Sequence, residues 1–304
     1  MERHTTLRRM ARATYALPGA KASARALTRA ALHSMPLSLK NRQRLYNFVA
    51  DETIPSEVMS CWVRLPSGKP LKLRLDLKDD LSRMWYYWGY SGYERATVHV
   101  FSQLVQSKSC VFDVGANIGY YTLLAASILE GRGHVHAFEP CPAVFDWLSE
   151  NVSLNEFQCV TLNKAALAES DGEQPLFLPS NRAGTNASLV KDFTTQNAIV
   201  MSQTFRFDSY CRDNVDRRVD LIKLDAEGAE TSVLRGAGTL LDKWAPDVIC
   251  EVLEPYEQDL DRLFSAIAYR KFLITDDGLQ EEDVIKAHHQ YRDYYLSRDP
   301  VFVN

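Results

Sequence analysis

From residue 110 onward, short apolar runs alternate with segments whose apolar side chains recur every three or four residues. The runs at 111–114, 134–138, 159–162, 219–224, 248–252 and 272–275 are four to six residues long. Runs of that length, bounded by polar or glycine-containing turns, predict buried strands. Between them, 120–129, 229–241 and 256–269 have helical spacing, and Val144, Phe145, Leu148 and Val152 mark one face of a further helix. Strands alternating with helices imply a parallel sheet, with helices covering both faces. The stretch 172–210 breaks the rhythm and is expected to hold an inserted hairpin.

Upstream the pattern differs. Residues 58–76 alternate around a Pro66-Ser67-Gly68 turn, which predicts a hairpin. Residues 83–105 begin with the aromatic run Trp85-Tyr86-Tyr87-Trp88 and continue with helical spacing. That aromatic run suits stacking on sugar rings or packing in a core. The expected organisation is a basic, helical extension over 1–50, a hairpin and helical lead-in over 51–105, and an α/β domain over 106–304.

Composition adds limits. Of 304 residues, 46% are hydrophobic and 24% charged, so a packed core is expected and wholesale disorder is excluded. The chain has no run of about 18 apolar residues, the length a spanning helix needs. The six cysteines form no C-x-x-C pair, which points away from a zinc cluster or disulfide framework and towards a reducing, cytoplasmic setting.

Charge is unevenly placed. Residues 1–50 carry ten Lys and Arg against the single acid Glu2, a balance of +9 that leaves −13 for the rest of a chain whose net charge is −4. A nucleic-acid enzyme would carry its positive surface on the folded domain, so no nucleic-acid partner is expected. Leu7, Met10, Thr14 and Leu17 recur at helical spacing with Arg8, Arg9 and Arg12 between them. The arm reads as a solvated helical extension, as a basic helix in peripheral contact with the inner face of an anionic membrane, or as a transit peptide.

Candidate chemistry gathers at the strand ends. Asp113-Val-Gly115-Ala-Asn117-Ile-Gly119 joins a predicted strand to a predicted helix, and Glu139 ends the next strand. Glycines there let backbone approach a ligand closely. A carboxylate at the second strand end can accept hydrogen bonds from both ribose hydroxyls. The turn is not the G-x-G-x-x-G of dinucleotide folds, and an acid beside it repels phosphate but suits a cationic amine. S-adenosylmethionine, with its amine, sulfonium and phosphate-free ribose, fits that combination. The bland alternative, an ordinary strand-turn-helix with a capping Asp, leaves Glu139 unexplained.

The segment 111–122 (VFDVGANIGYYT), Ala137-Phe138-Glu139-Pro140, Asn151-Val152-Ser153-Leu154-Asn155 and the segment Ile222-Lys223-Leu224-Asp225-Ala226-Glu227-Gly228-Ala229-Glu230 together resemble the FkbM family of methyltransferases. Gly184-Thr185-Asn186-Ala187-Ser188-Leu189 also resembles a recurring family stretch. The resemblance covers about 80–300. It implies a Rossmann-like, class I fold with a mostly parallel seven-stranded sheet, helices on both faces and a final antiparallel strand. It also implies S-adenosylmethionine as cofactor and hydroxyl groups of glycans or secondary metabolites as acceptors. By position, Asp113, Gly115, Asn117 and Gly119 would form the cofactor loop, Glu139 would bind ribose and Ala165 would lie near the adenine.

Methyl transfer depends on in-line positioning, and a hydroxyl acceptor gains if a carboxylate takes its proton. Asp225 and Glu227 flank one predicted strand end and Glu251 ends another. Asp225 and Glu227 are therefore the candidate catalytic acids. Asp225 also suits a helix N-cap. The three carboxylates would suit a divalent metal as well, a secondary reading. The expected activity is O-methylation of a sugar hydroxyl in a glycan or glycolipid. The alternatives are a polyketide-like or other small metabolite as acceptor, a nicotinamide-dependent oxidoreductase, and a non-catalytic binding module anchored at a membrane through 1–50. His288 and His289 are expected in the closing strand.

Overall fold

The computed structural model describes residues 58–300 apart from 66, 78, 180–186, 192, 194 and 195. The expected basic extension over 1–50 and the 184–186 part of the insertion lie outside the described residues. The chain divides into two compact units between Glu94 and Arg95.

In the first unit, β1 (Val58–Arg64) and β2 (Pro70–Asp76) pair antiparallel around the expected turn. Leu71, Leu73 and Leu75 of β2 are buried, as a period of two requires. Helix α1 (Asp80–Trp88) follows, capped by Asp79, whose carboxylate accepts from the Ser82 amide at 2.7 Å. Trp85, Tyr87 and Tyr90 are buried, and Trp85 stacks on Tyr90 with ring centroids 5.3 Å apart. The aromatic run is core, not an open platform for sugars.

The second unit starts with α2 (Arg95–Val105). The sequence placed the start of this domain at 106, but Thr97 Oγ1 on α2 donates to Asp293 Oδ2 at 2.7 Å. That buried bond spans almost the whole unit and was invisible to local pattern. There follow β3 (Cys110–Val114), α3 (Tyr120–Leu129), β4 (His134–Phe138), α4 (Pro142–Ser153) and β5 (Val160–Asn163). Then come the short β6 (Ala166–Ala168), β7 (Gly172–Pro179), β8 (Gln196–Arg206) and α5 (Phe207–Asn214). The chain returns to the main sheet with β9 (Leu221–Leu224), α6 (Glu230–Gly236), α7 (Leu240–Trp244), β10 (Asp247–Glu251), α8 (Glu257–Ala266), β11 (Arg270–Thr275), β12 (Gly278–Glu282) and β13 (Asp293–Ser297).

The main sheet runs β12-β11-β13-β10-β9-β3-β4-β5. Strands β10, β9, β3, β4 and β5 are mutually parallel, and β13 is antiparallel to both β10 and β11. From β3 the chain builds outward through β4 and β5, then crosses back to build the other way from β9. Right-handed crossovers therefore place the two sets of helices on opposite faces. The expected Rossmann-like architecture is present, with eight strands instead of seven. The extra strand, β12, pairs with β11 through a tight hairpin whose Gly278 has φ of 112°. Its sequence, Gly-Leu-Gln-Glu-Glu, is that of a solvated edge strand and has no apolar run to announce it.

Two other expectations change. The helix expected over 229–241 is broken into α6 and α7. Gly236 lies so close to β6 that a Cβ there would stand 1.9 Å from the Ala168 carbonyl oxygen, and Gly238 takes a φ of 53°. His288 and His289 fall in the link before β13 rather than in the strand itself. The inserted hairpin is present as β7 and β8, which pair antiparallel and add β6 to make a separate three-stranded sheet.

The core of the second unit centres on Phe112 of β3. Its ring stacks on Phe207 at 5.0 Å and Phe138 at 5.7 Å, and it meets Tyr210 edge-on. All six cysteines are free thiols, and burial pushes the Cys110 thiol up to about 12. Among the described residues, no helix is long and apolar enough to cross a membrane.

Phe112→Ala removes a fully buried ring at the sheet centre. We expect it to cost about 3–5 kcal/mol, read as a lower denaturant midpoint in equilibrium unfolding. A loss under about 1 kcal/mol would show that this aromatic cluster is not the core.

Candidate active site

In open parallel sheets, ligands sit outside the carboxyl ends of the strands, where the strand order reverses. Here that place is between β3 and β9. The loop after β3 and the loop after β9 meet there. A Cβ on Gly115 would stand 1.7 Å from the Asp225 carbonyl oxygen, and Gly115 has φ of 83°. Only glycine fits both the space and the backbone angle. The Asp225 amide donates to the Val114 carbonyl at 3.0 Å, closing the junction.

The rest of the first loop is held from β4. The Gly115 and Ala116 amides both donate to the Phe138 carbonyl, at 3.1 and 2.9 Å. Asn117 is left-handed, with φ of 50°, and its side-chain oxygen accepts from the Ile118 amide at 2.7 Å. Gly119, also left-handed, opens α3. Glu139 clamps two turns at once: Oε2 accepts from the Asn117 amide at 3.0 Å and Oε1 from the Cys141 amide at 2.8 Å. Burial pushes this carboxyl up to about 7 even though both amides pull it down.

Asp113 lies within β3 and is buried, and Thr122 Oγ1 of α3 donates to its Oδ2 at 2.5 Å. Its carboxyl is raised to about 6, chiefly by burial. The structure thus sets Asp113 beneath the loop, tied to the helix, and not on an open rim. Ala165 is buried at the turn between β5 and β6.

The acids after β9 take different jobs. Lys223, inside β9, is fully buried. Its ammonium lies 3.4 Å from Asp225 Oδ2 and 3.3 Å from Asp293 Oδ1, and 5.0 Å from the centre of the Tyr121 ring. No side chain caps α6; Glu230 instead holds the turn before the helix, its Oε1 accepting from the Ala226 amide at 2.7 Å and the Gly228 amide at 3.2 Å. Asp225 is therefore not spent on capping, and its side chain is partly open.

Glu227 adopts a left-handed φ of 51°. Its carbonyl accepts from Ser188 Oγ at 2.6 Å, and Ser188 is bridged by backbone bonds to Phe177 of β7. The insertion thus supports the turn that carries Glu227. Glu251, at the end of β10, lies 3.5 Å from Arg292 Nη1. Burial raises both the Glu227 and the Glu251 carboxyls, and the Asp225 carboxylate raises them further. A group with a raised value holds its proton near neutral pH and is poised for proton exchange there.

The structure brings Gly115, Asn117, Gly119 and Glu139 into one clamp and sets Asp225, Glu227 and Glu251 beside it. Sequence reasoning did not find Asp293, Thr97 and Arg292 as partners of this rim. They come from distant segments and have no local signal stronger than a charged pair before an apolar run. Among the described residues, no group of three or more His, Cys, Asp or Glu is placed to hold a metal ion.

The donor set fits S-adenosylmethionine. Left-handed glycines permit close backbone approach, buried carboxylates favour a cation and ribose hydroxyls, and among the described residues no free basic side chain stands at the glycine turn to neutralise a phosphate, Lys223 being held by Asp225 and Asp293.

Fold and rim together define a Rossmann-like methyltransferase architecture. A profile of the Methyltransferase FkbM domain matches residues 113–292, and the chain belongs to that family. It is similar to Methyltransferase 1 of Beauveria bassiana, 29% identical over 145 residues that cover 42% of this chain and 58% of that one. It is similar to Methyltransferase sdnD of Sordaria araneosa, 29% identical over 49% of this chain and 68% of the other. It also resembles the hexuronic acid methyltransferase AglP of Haloferax volcanii, 28% identical over 47% of this chain and 56% of the other. The matched parts span between 56% and 68% of these relatives' lengths. Among solved structures, the methyltransferase FkbM of Methylobacillus flagellatus aligns with a TM-score of 0.41 at 16% identity, over 91% of this chain and 60% of that one.

Glu139 and Glu230 titrate in the fold near 7 instead of their ordinary 4.5. The fold favours their protonated forms, so this contribution is fully present below about 4.5 and lost as pH rises through about 7. The melting temperature of the cofactor-free protein should fall between about pH 5.5 and 8. Glu139→Gln should flatten that fall in circular dichroism melts. An identical slope in wild type and variant would rule out titration of Glu139.

Proposed function

We propose that the chain transfers a methyl group from S-adenosylmethionine to a hydroxyl oxygen of a sugar. The observation that carries this reading is the Glu139 clamp, joined at the Gly115–Asp225 contact to a second rim of carboxylates.

Gly115, Asn117, Gly119, Glu139 and Ala165 would line the cofactor side, with Asp113 supporting the loop from beneath. When bound, S-adenosylmethionine supplies a methyl group already activated on a sulfonium. The residues of the chain then have three tasks. Glu139 keeps the two turns together and offers its remaining lone pairs to ribose hydroxyls. The glycine loop lets backbone come close. Asp225 and Glu227 orient the acceptor hydroxyl, and one of them takes its proton as the new oxygen–carbon bond forms.

Glu227 is the better base of the two, because its raised value matches working pH. Asp225, held by Lys223, is better suited to orienting. A sugar acceptor is supported by the resemblance to a protein named for hexuronic acid methylation.

The test has two readouts. Calorimetry with S-adenosylhomocysteine reports on the cofactor side, and labelled methyl transfer into fractionated cell extracts reports on the acceptor. Glu227→Gln and Asp225→Asn should each lower turnover by about 10²–10⁴ while S-adenosylhomocysteine affinity changes less than about threefold. Full turnover in both variants would remove these residues from the chemistry. Label appearing in protein alone would overturn the sugar acceptor.

A further inference from the structure

Beyond the end of β10, next to the acid rim, lies a groove of about 800 Å³. One wall is the segment after β10 with Tyr256, and the other is the link before β13. Phe193 from the insertion closes one side. Both aromatic rings crowd Gly228, where a Cβ would stand 2.9 Å from Phe193 Cδ2 and from Tyr256 Cε2. The groove thus begins at the turn that bears Glu227. It belongs to no part of the cofactor clamp.

Its charge is opposite to that of the rim. Lys191, Lys286, Arg292, His288 and His289 line it, against the acids Glu254 and Glu257. Of these acids, Glu257 is already engaged, its Oε2 accepting from the Ala287 amide at 2.6 Å. Among the described residues, no hydrogen bond or ion pair ties the side chains of Lys191, Lys286 or His289, while Arg292 reaches back to Glu251. His288 is held by Tyr294 at 3.2 Å and by Glu282.

A rim of carboxylates repels an anionic acceptor. A basic groove one turn away reverses that effect for one end of the molecule only. The two fields together orient a ligand that carries a hydroxyl at one end and a negative charge at the other. Orientation of this kind is what in-line transfer needs.

We infer that this groove is the acceptor subsite and that it takes an anionic sugar, whose carboxylate or phosphate sits among Lys286, His289 and Arg292 while its hydroxyl faces Glu227. The inference rests on the methyltransferase reading and adds the charge class of the substrate. Arg292 has a double role. It partners Glu251 at the rim and meets the anion in the groove, so it links the two fields.

The test uses the full chain saturated with S-adenosylhomocysteine. Binding of methyl glucuronoside, glucose 6-phosphate and neutral methyl glucoside is compared by ligand-observed NMR titration. The anionic probes should bind at least about tenfold more tightly than the glucoside, and the better of the two names carboxylate or phosphate as the source of charge. The double substitution Lys286→Glu with His289→Glu, both on exposed side chains, should abolish that preference without changing affinity for S-adenosylhomocysteine. Equal binding of charged and neutral probes, no binding of either, or a preference that survives the double substitution would each overturn the subsite. Failure of S-adenosylhomocysteine to bind would strike instead at the methyltransferase reading, so the two failures are distinguishable.

Discussion

The buried ammonium of Lys223 is the constraint around which the second unit is arranged. A lone cation in a sheet interior would be prohibitively costly, and two carboxylates at 3.3 and 3.4 Å make it tolerable. Those carboxylates lie 68 residues apart in the sequence, Asp225 just after β9 and Asp293 at the start of β13. Asp293 in turn accepts from Thr97 on α2. One charge therefore fastens the first helix of the unit, a central strand and the closing antiparallel strand. Removing Asp293, the more buried of the two acids, leaves the cation under-compensated, at a penalty of about 3–5 kcal/mol.

This arrangement also sorts the acids by role. Asp113 and Glu230 are absorbed by the fold, one under a threonine hydroxyl and the other under two backbone amides. Asp225 is neutralised from below by Lys223 and stays partly open. Glu227 and Glu251 are raised first by burial and then by the Asp225 carboxylate, although Arg292 lies 3.5 Å from Glu251. Acids that look alike in the sequence thus become a turn clamp, a buried anchor, a partner of a buried cation and carboxyls with raised values. Neighbours, not residue type, set the difference.

Much of this was legible from the chain alone, where the signal is local. The strands from Cys110 to Phe138, the helices between them, the glycine turn and the acid pair after β9 all show in spacing and turn chemistry. The insertion showed as an interruption of rhythm. What escaped depends on distance or exposure. Strand β12 is polar and paired on one side only, so it has no hydrophobic period. The break between α6 and α7 is imposed by the Ala168 carbonyl, nearly seventy residues away in sequence. The membership of α2 in the larger unit rests on long-range contacts, among them the bond to Asp293 and the edge-on packing of Phe101 on Tyr121 of α3. The groove is assembled from Lys191, Phe193, residues 252–257, residues 286–289 and Arg292, which share no motif.

The bond from Ser188 to the Glu227 carbonyl has a consequence for how such a protein can diversify. The hairpin of β7 and β8 forms, with β6, a small sheet outside the central one, yet Ser188 bridged to it grips the peptide unit that carries Glu227. Lengthening or reshaping that hairpin would re-aim Glu227 while leaving the nucleoside-facing loops on β3 and β4 as they are. New acceptors can then be tried by grafting one peripheral ribbon, with the methyl-donor half inherited intact.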